Sequence, residues 1–308
     1  MTYYDYGFRI YNPGIGKFLS VDPLTKSYPW YTPYQFAGNK PIWAIDIDGL
    51  EEWKVTGLDG SESNTYGPYI DQSYAQENYD NSIDPSSITP NDSYEKGILD
   101  KDISFSRNYG WVDQTHAFTD TKRKDVDIGI GNLWSKILNE KGNSSFDVNY
   151  TQVASVFGFK VGETGEFRIK GGLSIQEKRE VALAIVQDVS LKFEALQSFA
   201  FWSGSSFEPA DLPSNILSFY RTVYNDLDSD KLKDLIGILN PISSLRVYRQ
   251  YPGTFTDGKY KNRSFSPKYF NSIFSPNDFN VPAQLSRVKP AKMGGVLNNK
   301  TKVRYRWF

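Results

Sequence analysis

The chain's single histidine, His116, lies three residues after Asp113 in the segment GWVDQTHA. Imidazole is the side-chain group whose charge ordinarily changes near neutral pH, so His116 is a candidate for proton transfer. Residues three apart share a face in a helical turn and face opposite ways in a strand. A neighbouring carboxylate would fix the imidazole tautomer and make it a general base. We interpret His116 and Asp113 as candidate catalytic residues, and the alternative is a structural histidine bonded to the backbone.

A second candidate, Glu194, lies on a predicted helix. It belongs to a polar stripe at spacings of three and four: Gln187, Ser190, Glu194 and Gln197. Because Glu194 stands between Phe193 and Leu196, it borders the apolar face of the same helix. A carboxylate held there would have a raised pKa and could act as an acid. The alternative is a plain solvated face.

The segment 203–215 is dense in Ser, Glu, Asp and Asn just before another predicted helix. Such residues cap helices, and Ser205 with Glu208 forms an S-x-x-E capping pattern. A helix N-terminus with free N–H groups also binds anions. The segment therefore predicts capping, with anion binding as the functional alternative.

Several chemistries are excluded by composition. The 308 residues contain no cysteine, which rules out disulfides, thiolate metal sites and cysteine nucleophiles. One histidine cannot build a multi-histidine zinc site. The chain has no P-loop, G-x-G-x-x-G or EF-hand pattern, so nucleotide and dinucleotide cofactors are not indicated. It has no apolar run of about 18 residues and no signal peptide, so we expect no membrane span and delivery by another route.

The longest predicted helix, residues 175–201, would position Glu194. Ser174 and Glu177 form a capping box at its start. Its apolar residues recur at helical spacing: Ala182, Ile185, Val186, Val189, Phe193, Leu196 and Ala200. This pattern predicts one buried face against a core.

Other elements predict an α+β fold. Further helices are expected over 213–224 and 230–239, and strands over 150–159, 166–169 and 302–308. The last of these alternates apolar and basic residues, as an edge strand does. Near the start, residues 3–11 and 17–21 predict two strands of a hairpin around a turn at 12–16.

Three zones follow from composition. Residues 1–50 form a small β-rich zone, residues 51–105 an acidic polar linker or lead-in, and residues 106–308 a separate domain with a basic C-terminal segment. Between positions 246 and 308 there are 13 Lys and Arg against Asp257 and Asp278, an excess of 11 positive charges. Such a tail can serve a nucleic acid, an anionic surface or the protein's own acidic body.

The first zone carries the motifs YDYGFRIYNPGIGKFLSVDPL and YQFAGNKPIWAIDIDGL. They resemble the end of the RHS repeat-associated core, the module that closes a shell of YD repeats. The family pattern is close to Y-D-Y-G-x-R-x-Y-D-P-x-x-G-R-F-x-S-x-D-P, then Y-x-Y-x-x-N-N-P-x-x-x-x-D-P-x-G-L. The similarity covers residues 4–50, about a sixth of the chain.

This resemblance implies a variable cargo domain after the core, commonly a polymorphic toxin used in bacterial competition or against a host. It also implies self-cleavage after Leu50 with a contribution from Asp46, in a motif that includes Asp48 and Gly49. Ile47 replaces the proline of the family pattern, and the YD repeats are missing from this sequence. The alternative is that Asp46 and Asp48 shape a turn before Gly49.

The cargo is similar to an uncharacterised family of bacterial envelope lipoproteins. That family's pattern includes G-F-I-D-x-x-H, a helix with W-H-E-I, and S-x-F-S-x-E-D-L-x-S-N. The matching positions are Asp113, His116, Glu194, Ser206, Asp211, Ser214 and Asn215. Phe193 stands where the family has the helix histidine. The resemblance implies that the three segments meet in space, with Ser206, Ser214 and Asn215 as candidate binding residues, and supplies no reaction.

If the segments meet, His116, Glu194 and Asp211 form an acid/base cluster suited to hydrolysis or strand transfer of a sugar or phosphodiester. The same groups could hold a single divalent metal. Our leading hypothesis is a secreted hydrolase-type effector that acts on peptidoglycan or nucleic acid. Its expected partners are the RHS shell or parent chain and a cognate immunity protein. The alternatives are a non-enzymatic module binding a cell surface, glycan or protein, and an inert displaced cassette.

Overall fold

A computed structural model describes residues 3–7, 9–23, 25–26, 32–39, 52–66, 71–118, 128–156, 159–199, 206–251, 253–267, 281–300 and 304–307. The chain divides into two compact units, Met1–Thr89 and Pro90–Phe308. The division falls inside the 51–105 zone. None of the helices in these ranges has the length and apolarity needed to cross a membrane.

The first unit begins with a three-stranded antiparallel sheet of β1 (Tyr4–Asp5), β2 (Ile10–Asn12) and β3 (Lys17–Phe18). The prediction of one continuous strand over 3–11 is wrong, because the chain reverses at Gly7. This glycine has φ +89°, a conformation that other residues rarely adopt. The predicted turn is present: the Asn12 carbonyl accepts from the N–H groups of Ile15 and Gly16.

The described part of the first unit also contains a hairpin of β4 (Glu52–Thr56) and β5 (Glu62–Tyr66), followed by helix α1 (Gln72–Ser82). Trp53, Val55 and Ala75 form a small buried cluster between hairpin and helix. The zone predicted as an acidic linker or lead-in therefore contains regular elements with a core of their own.

The second unit has an α+β architecture, as the sequence predicts. It opens with α2 (Ser93–Leu99), the hairpin β6 (Ile103–Ser106) and β7 (Gly110–Asp113), and the short helix α3 (Gln114–Phe118). The sequence patterns predict neither α2 nor this hairpin.

A long antiparallel hairpin forms the main sheet of this unit. Strand β8 (Phe146–Val156) is shifted toward the N-terminus relative to the strand predicted over 150–159. Strand β9 (Phe159–Ile169) begins well before the strand predicted over 166–169 and is much longer. Strands β10 (Leu297–Asn299) and β11 (Arg304–Trp307) pair with the other edge of β9. The predicted edge strand over 302–308 is therefore present as β11.

The described part of this unit contains five further helices: α4 (Ile130–Asn139), α5 (Ile175–Phe199), α6 (Asp211–Val223), α7 (Ser229–Ile236) and α8 (Pro241–Gln250). The central helix α5 packs on β8, β9, α4 and α6. Its predicted capping box is confirmed: the Ser174 N–H and hydroxyl both donate to Glu177 Oε2, at 2.8 and 2.7 Å. Its predicted apolar face is buried from Ala182 to Phe193, Leu196 is partly buried, and Ala200 lies outside the described residues. Helices α4 and α8 are not predicted by the sequence.

Cations of the basic tail pair with acids of the same unit. Arg249 makes a bidentate bond to the buried Glu95, at 2.9 and 2.8 Å. Arg287 pairs with Asp226 at 3.0 Å, and Lys300 pairs with Asp147 at 2.7 Å. Part of the tail's charge is thus matched within the unit itself.

Candidate functional site

Asp113 and His116 meet at the junction of β7 and α3. The strand ends at Asp113 and the helix begins one residue later, so the two residues share the face of a helical turn. Asp113 Oδ2 lies 3.2 Å from His116 Nδ1, and Asp113 Oδ1 accepts from the His116 backbone N–H at 2.9 Å. With Nδ1 held by Asp113, Nε2 is the ring atom left for chemistry. The His116 side chain is 55% exposed, which makes it accessible.

Ser214 holds this turn in place from α6. Its hydroxyl accepts a hydrogen bond from the Asp113 backbone N–H at 2.9 Å, and the residue is fully buried in the first turn of the helix. The sequence predicts Ser214 as a ligand-binding residue. In the structure its hydroxyl bonds the Asp113 backbone and so positions Asp113.

Glu194 and Asp211 form a buried carboxyl pair. Glu194 of α5 is 4% exposed and Asp211 of α6 is 8% exposed. Their side chains are hydrogen-bonded to each other, and Glu194 Oε2 also accepts from the Phe207 N–H at 2.6 Å. Burial raises the pKa of both carboxyls, and the pKa of Asp211 is raised further by Glu194 and Glu208. Both shifts favour the neutral form of these carboxyls.

The backbone at Phe207 supports this pair. Phe207 has φ +54°, a left-handed conformation that costs about 1–3 kcal/mol for a residue other than glycine. It is fixed there by burial, with the Arg263 guanidinium 4.5 Å from its ring centre. The strained residue is the one whose N–H binds Glu194.

Glu208 is a further acid near the site that the sequence patterns predict only as part of a helix cap. It accepts from the Tyr94 hydroxyl at 2.8 Å, and burial raises its pKa to about 7. Its backbone N–H donates to Asp211 Oδ2 at 2.8 Å. Ser205, its predicted capping partner, lies outside the described residues. The position of Glu208 in an S-x-x-E pattern indicated a cap, and nothing in the sequence indicated Tyr94 as its partner.

The predicted candidates from three segments converge in this unit. Oxygen or nitrogen atoms of Asp113, His116 and Asp211 lie within 4.8 Å of one another, close enough to hold a metal ion together. A histidine nitrogen with two carboxylate oxygens suits a divalent metal. Because Asp113 Oδ2 lies 3.2 Å from His116 Nδ1, the same atoms also suit acid/base chemistry without a metal.

His116 and Glu194 face a common cavity of about 500 Å³. Helices α3, α5 and α6 and strand β8 contribute to its wall. The remaining lining residues are Thr115, Ile128, Gly129, Ile130, Tyr150, Thr151, Gln152, Val153, Phe193, Asn215 and Ser218. The cavity gives a substrate access to the imidazole and to the Glu194 carboxyl.

The other predicted site residues are placed as follows. Asn215, an expected binding residue, lines the cavity. Ser206 is buried next to Phe207 and is not among the residues that line the cavity. The expected self-cleavage residues Asp46, Asp48, Gly49 and Leu50 lie outside the described residues.

No family model and no solved structure matches the chain. Among curated proteins, Salivary gland surface protein 1 of Aedes aegypti is 44% identical over 46 residues, which is 15% of this chain. The matched stretch spans about 1% of the length of that protein. A match of this extent assigns neither a fold nor an activity to the chain.

Proposed function

We propose that the chain is an RHS-type toxin cassette whose second unit is a hydrolase. One observation carries this proposal: His116 and Glu194, from separate segments, face one cavity, and Asp211 of a third segment lies close to both. Burying two carboxyl groups together destabilises a fold unless they share a proton, so such pairs are found where their acidity is used.

His116 is the proposed general base. Asp113 Oδ2, 3.2 Å from Nδ1, favours the tautomer with its proton on Nδ1, which leaves the Nε2 lone pair to take a proton from water. The water oxygen then attacks the electrophilic centre of the substrate. Asp113 stabilises the imidazolium that forms, and Ser214 keeps Asp113 in position.

Glu194 is the proposed general acid. It faces the cavity, and its burial favours the protonated form. The Glu194 proton passes to the leaving oxygen, and Asp211 resupplies it through their shared hydrogen bond. One water is consumed and two hydroxyl products leave, after which His116 releases its proton to solvent and Asp211 takes one up from solvent.

A metal-assisted version uses the same residues. Asp113, His116 and Asp211 would hold one divalent ion, which would activate the attacking water. Removal of metal separates the two versions. Activity that survives dialysis against EDTA supports the acid/base version, and activity restored only by a divalent cation supports the metal version.

In this function the chain follows a parent RHS shell that delivers it to the target cell. A cognate immunity protein protects the cell that produces it. The test is inducible expression in a bacterium, with the protein directed to the cytoplasm or to the periplasm. We expect growth arrest in one compartment. His116→Ala and Glu194→Gln should abolish it, while the exposed variant Gln176→Leu should not.

Equal abundance and equal melting temperature of the variants are required for the comparison. Growth arrest that persists in both site variants would contradict a hydrolase and favour a binding module. No arrest in either compartment from folded protein would favour an inert cassette.

A further inference from the structure

Two amide side chains line the cavity and are paired with each other. Gln152 of β8 donates from Nε2 to Asn215 Oδ1 of α6 at 3.3 Å. Gln152 Oε1 is buried without a hydrogen-bond partner, and no described residue accepts from Asn215 Nδ2. Exchanging oxygen and nitrogen in both amides reverses the bond but still leaves one donor and one acceptor unpaired. A bound ligand is therefore the group that can complete this pair.

The unpaired atoms define the ligand chemistry. An acceptor and a donor on neighbouring amides complement a group that offers one N–H and one C=O, as an acetamido group does. The Ser218 hydroxyl and the rings of Phe193 and Tyr150 complete this part of the wall. Hydroxyl and aromatic groups are suited to the polar edges and apolar faces of a sugar.

The charge around the cavity opposes a polyanion. Among the described residues that line it there is no Lys or Arg, whereas Glu194 is one of them. Glu208 and Asp113 both act on Asp211 and raise its pKa, so further acids lie close behind. Proteins that hold a phosphodiester backbone do so mainly with Lys and Arg. Of the tail cations, Arg249, Arg287 and Lys300 are paired with acids elsewhere in the unit. Lys261 acts on Glu194 and Glu208 and is not among the residues that line the cavity.

We propose that the cavity binds an uncharged sugar chain carrying acetamido groups, with Gln152 and Asn215 as the residues that recognise the amide. This inference rests on the proposed hydrolase and names the substrate class of the same site. It favours the glycan part of a cell wall over a nucleic acid.

The test is calorimetric binding to the full-length chain carrying Glu194→Gln, which prevents turnover. The probes are a hexamer of N-acetylglucosamine, a hexamer of glucose, and a single-stranded DNA 12-mer. We expect the acetylated hexamer to bind at least tenfold more tightly than the glucose hexamer, because a site with unpaired amide atoms rejects a ligand that cannot satisfy them. Gln152→Leu and Asn215→Leu should each remove this preference, and Gln176→Leu should retain it.

Circular dichroism establishes that each variant is folded. For a leucine variant that does not fold, Gln152→Glu or Asn215→Ser tests the same atoms. Equal affinity for the two hexamers, or binding of the DNA alone, overturns the inference. Acetylated hexamer that is bound but not hydrolysed by the unmutated chain supports the inference and contradicts the hydrolase. Cleavage of the DNA without binding of the acetylated hexamer would contradict the inference and support the hydrolase.

Discussion

At the scale of single residues, the site is organised by protons on buried acids. Glu194 and Asp211 are hydrogen-bonded away from solvent, and Glu208 lies against the Tyr94 hydroxyl. Burial favours the neutral form of each carboxyl and raises its pKa. The three acids therefore link the stability of the fold to the pH at which the site works.

The variant Glu194→Gln separates stability from function. We expect it to abolish toxicity, because the amide cannot donate the proton that the leaving oxygen needs. We expect its melting temperature at pH 7.5 to equal or exceed that of the unmutated chain, because a buried acid is removed. Differential scanning calorimetry and growth curves measure the two effects. Parallel loss of both would mean that Glu194 serves only the fold.

Glu208 predicts a pH dependence of stability. Its pKa rises from 4.5 in the unfolded chain to about 7 in the folded one, so the folded state binds the proton more tightly. Its contribution to stability is fully present below pH 4.5 and is lost as the pH rises through 7. Glu208→Gln should reduce this fall.

Melting temperatures between pH 4 and 8 measure the fall. Glu194 and Asp211 act in the same direction, so a smaller slope should remain in the variant. Glu166→Gln, in the same unit, is the control. A Glu208→Gln profile that coincides with that of the unmutated chain would contradict the prediction.

At the scale of elements, the cavity depends on how α5 and α6 meet the β7–α3 junction and the long hairpin. Helix α5 carries Glu194, and α6 carries both Asp211 and Ser214. A hydrogen bond from the Asp113 N–H to Ser214 joins β7 to α6. Where these elements pack against one another, small side chains allow close approach and so set the distances between the catalytic groups.

Gly165 of β9 is a small residue of this kind, at the contact between β9 and α5. A Cβ at this position would overlap the Phe167 ring and come within 2.8 Å of Val189 Cγ2 on α5. Gly165→Ala should therefore destabilise the fold by about 1–3 kcal/mol. Urea unfolding measures the change, with Gly258→Ala as the control because nothing lies within 4 Å of its Cβ position. Similar stability of the two variants would contradict the close packing of α5 on β9.

Ser214→Ala tests the bond between β7 and α6. It leaves the Asp113 N–H without its acceptor, which should lower stability by about 1–3 kcal/mol. The same change releases Asp113 from its position beside His116, so activity should fall as well. Ser286→Ala, at an exposed serine of the same unit that does not line the cavity, retains the bond and serves as the control. An active, fully stable Ser214→Ala protein would show that the bond is dispensable.

What the sequence predicts well depends on local signals. The capping box at Ser174 and the apolar spacing of α5 are local patterns, and both are confirmed. The reversal at Gly7 was missed because alternation in sequence does not reveal a positive φ. Helix α4 was also missed, although its apolar residues are regularly spaced. The pairing of Gln152 with Asn215 and of Tyr94 with Glu208 joins distant segments, which no local pattern indicates.

At the scale of the whole molecule, the candidate site belongs to one unit. The main buried cluster runs from Tyr109 to Leu297 and lies wholly within Pro90–Phe308. The first unit has its own cluster around Trp53. Each unit therefore has a core that can support it.

This organisation predicts that residues 90–308 fold alone. We expect a single cooperative thermal transition for the fragment and toxicity equal to that of the full chain, since all the site residues are retained. Circular dichroism and the expression assay test this. A fragment that lacks a cooperative transition would show that residues 1–89 contribute to the stability of the second unit.

The pairing of β10 and β11 with β9 has a consequence for synthesis. Leu297 pairs with Ile169, and Trp307 pairs with Val161, so strands made late complete a sheet begun much earlier. While the ribosome is still translating the intervening helices, one edge of β9 has no partner strand. The sheet closes only after residue 307 has emerged, and until then the nascent chain is a suitable client for chaperones.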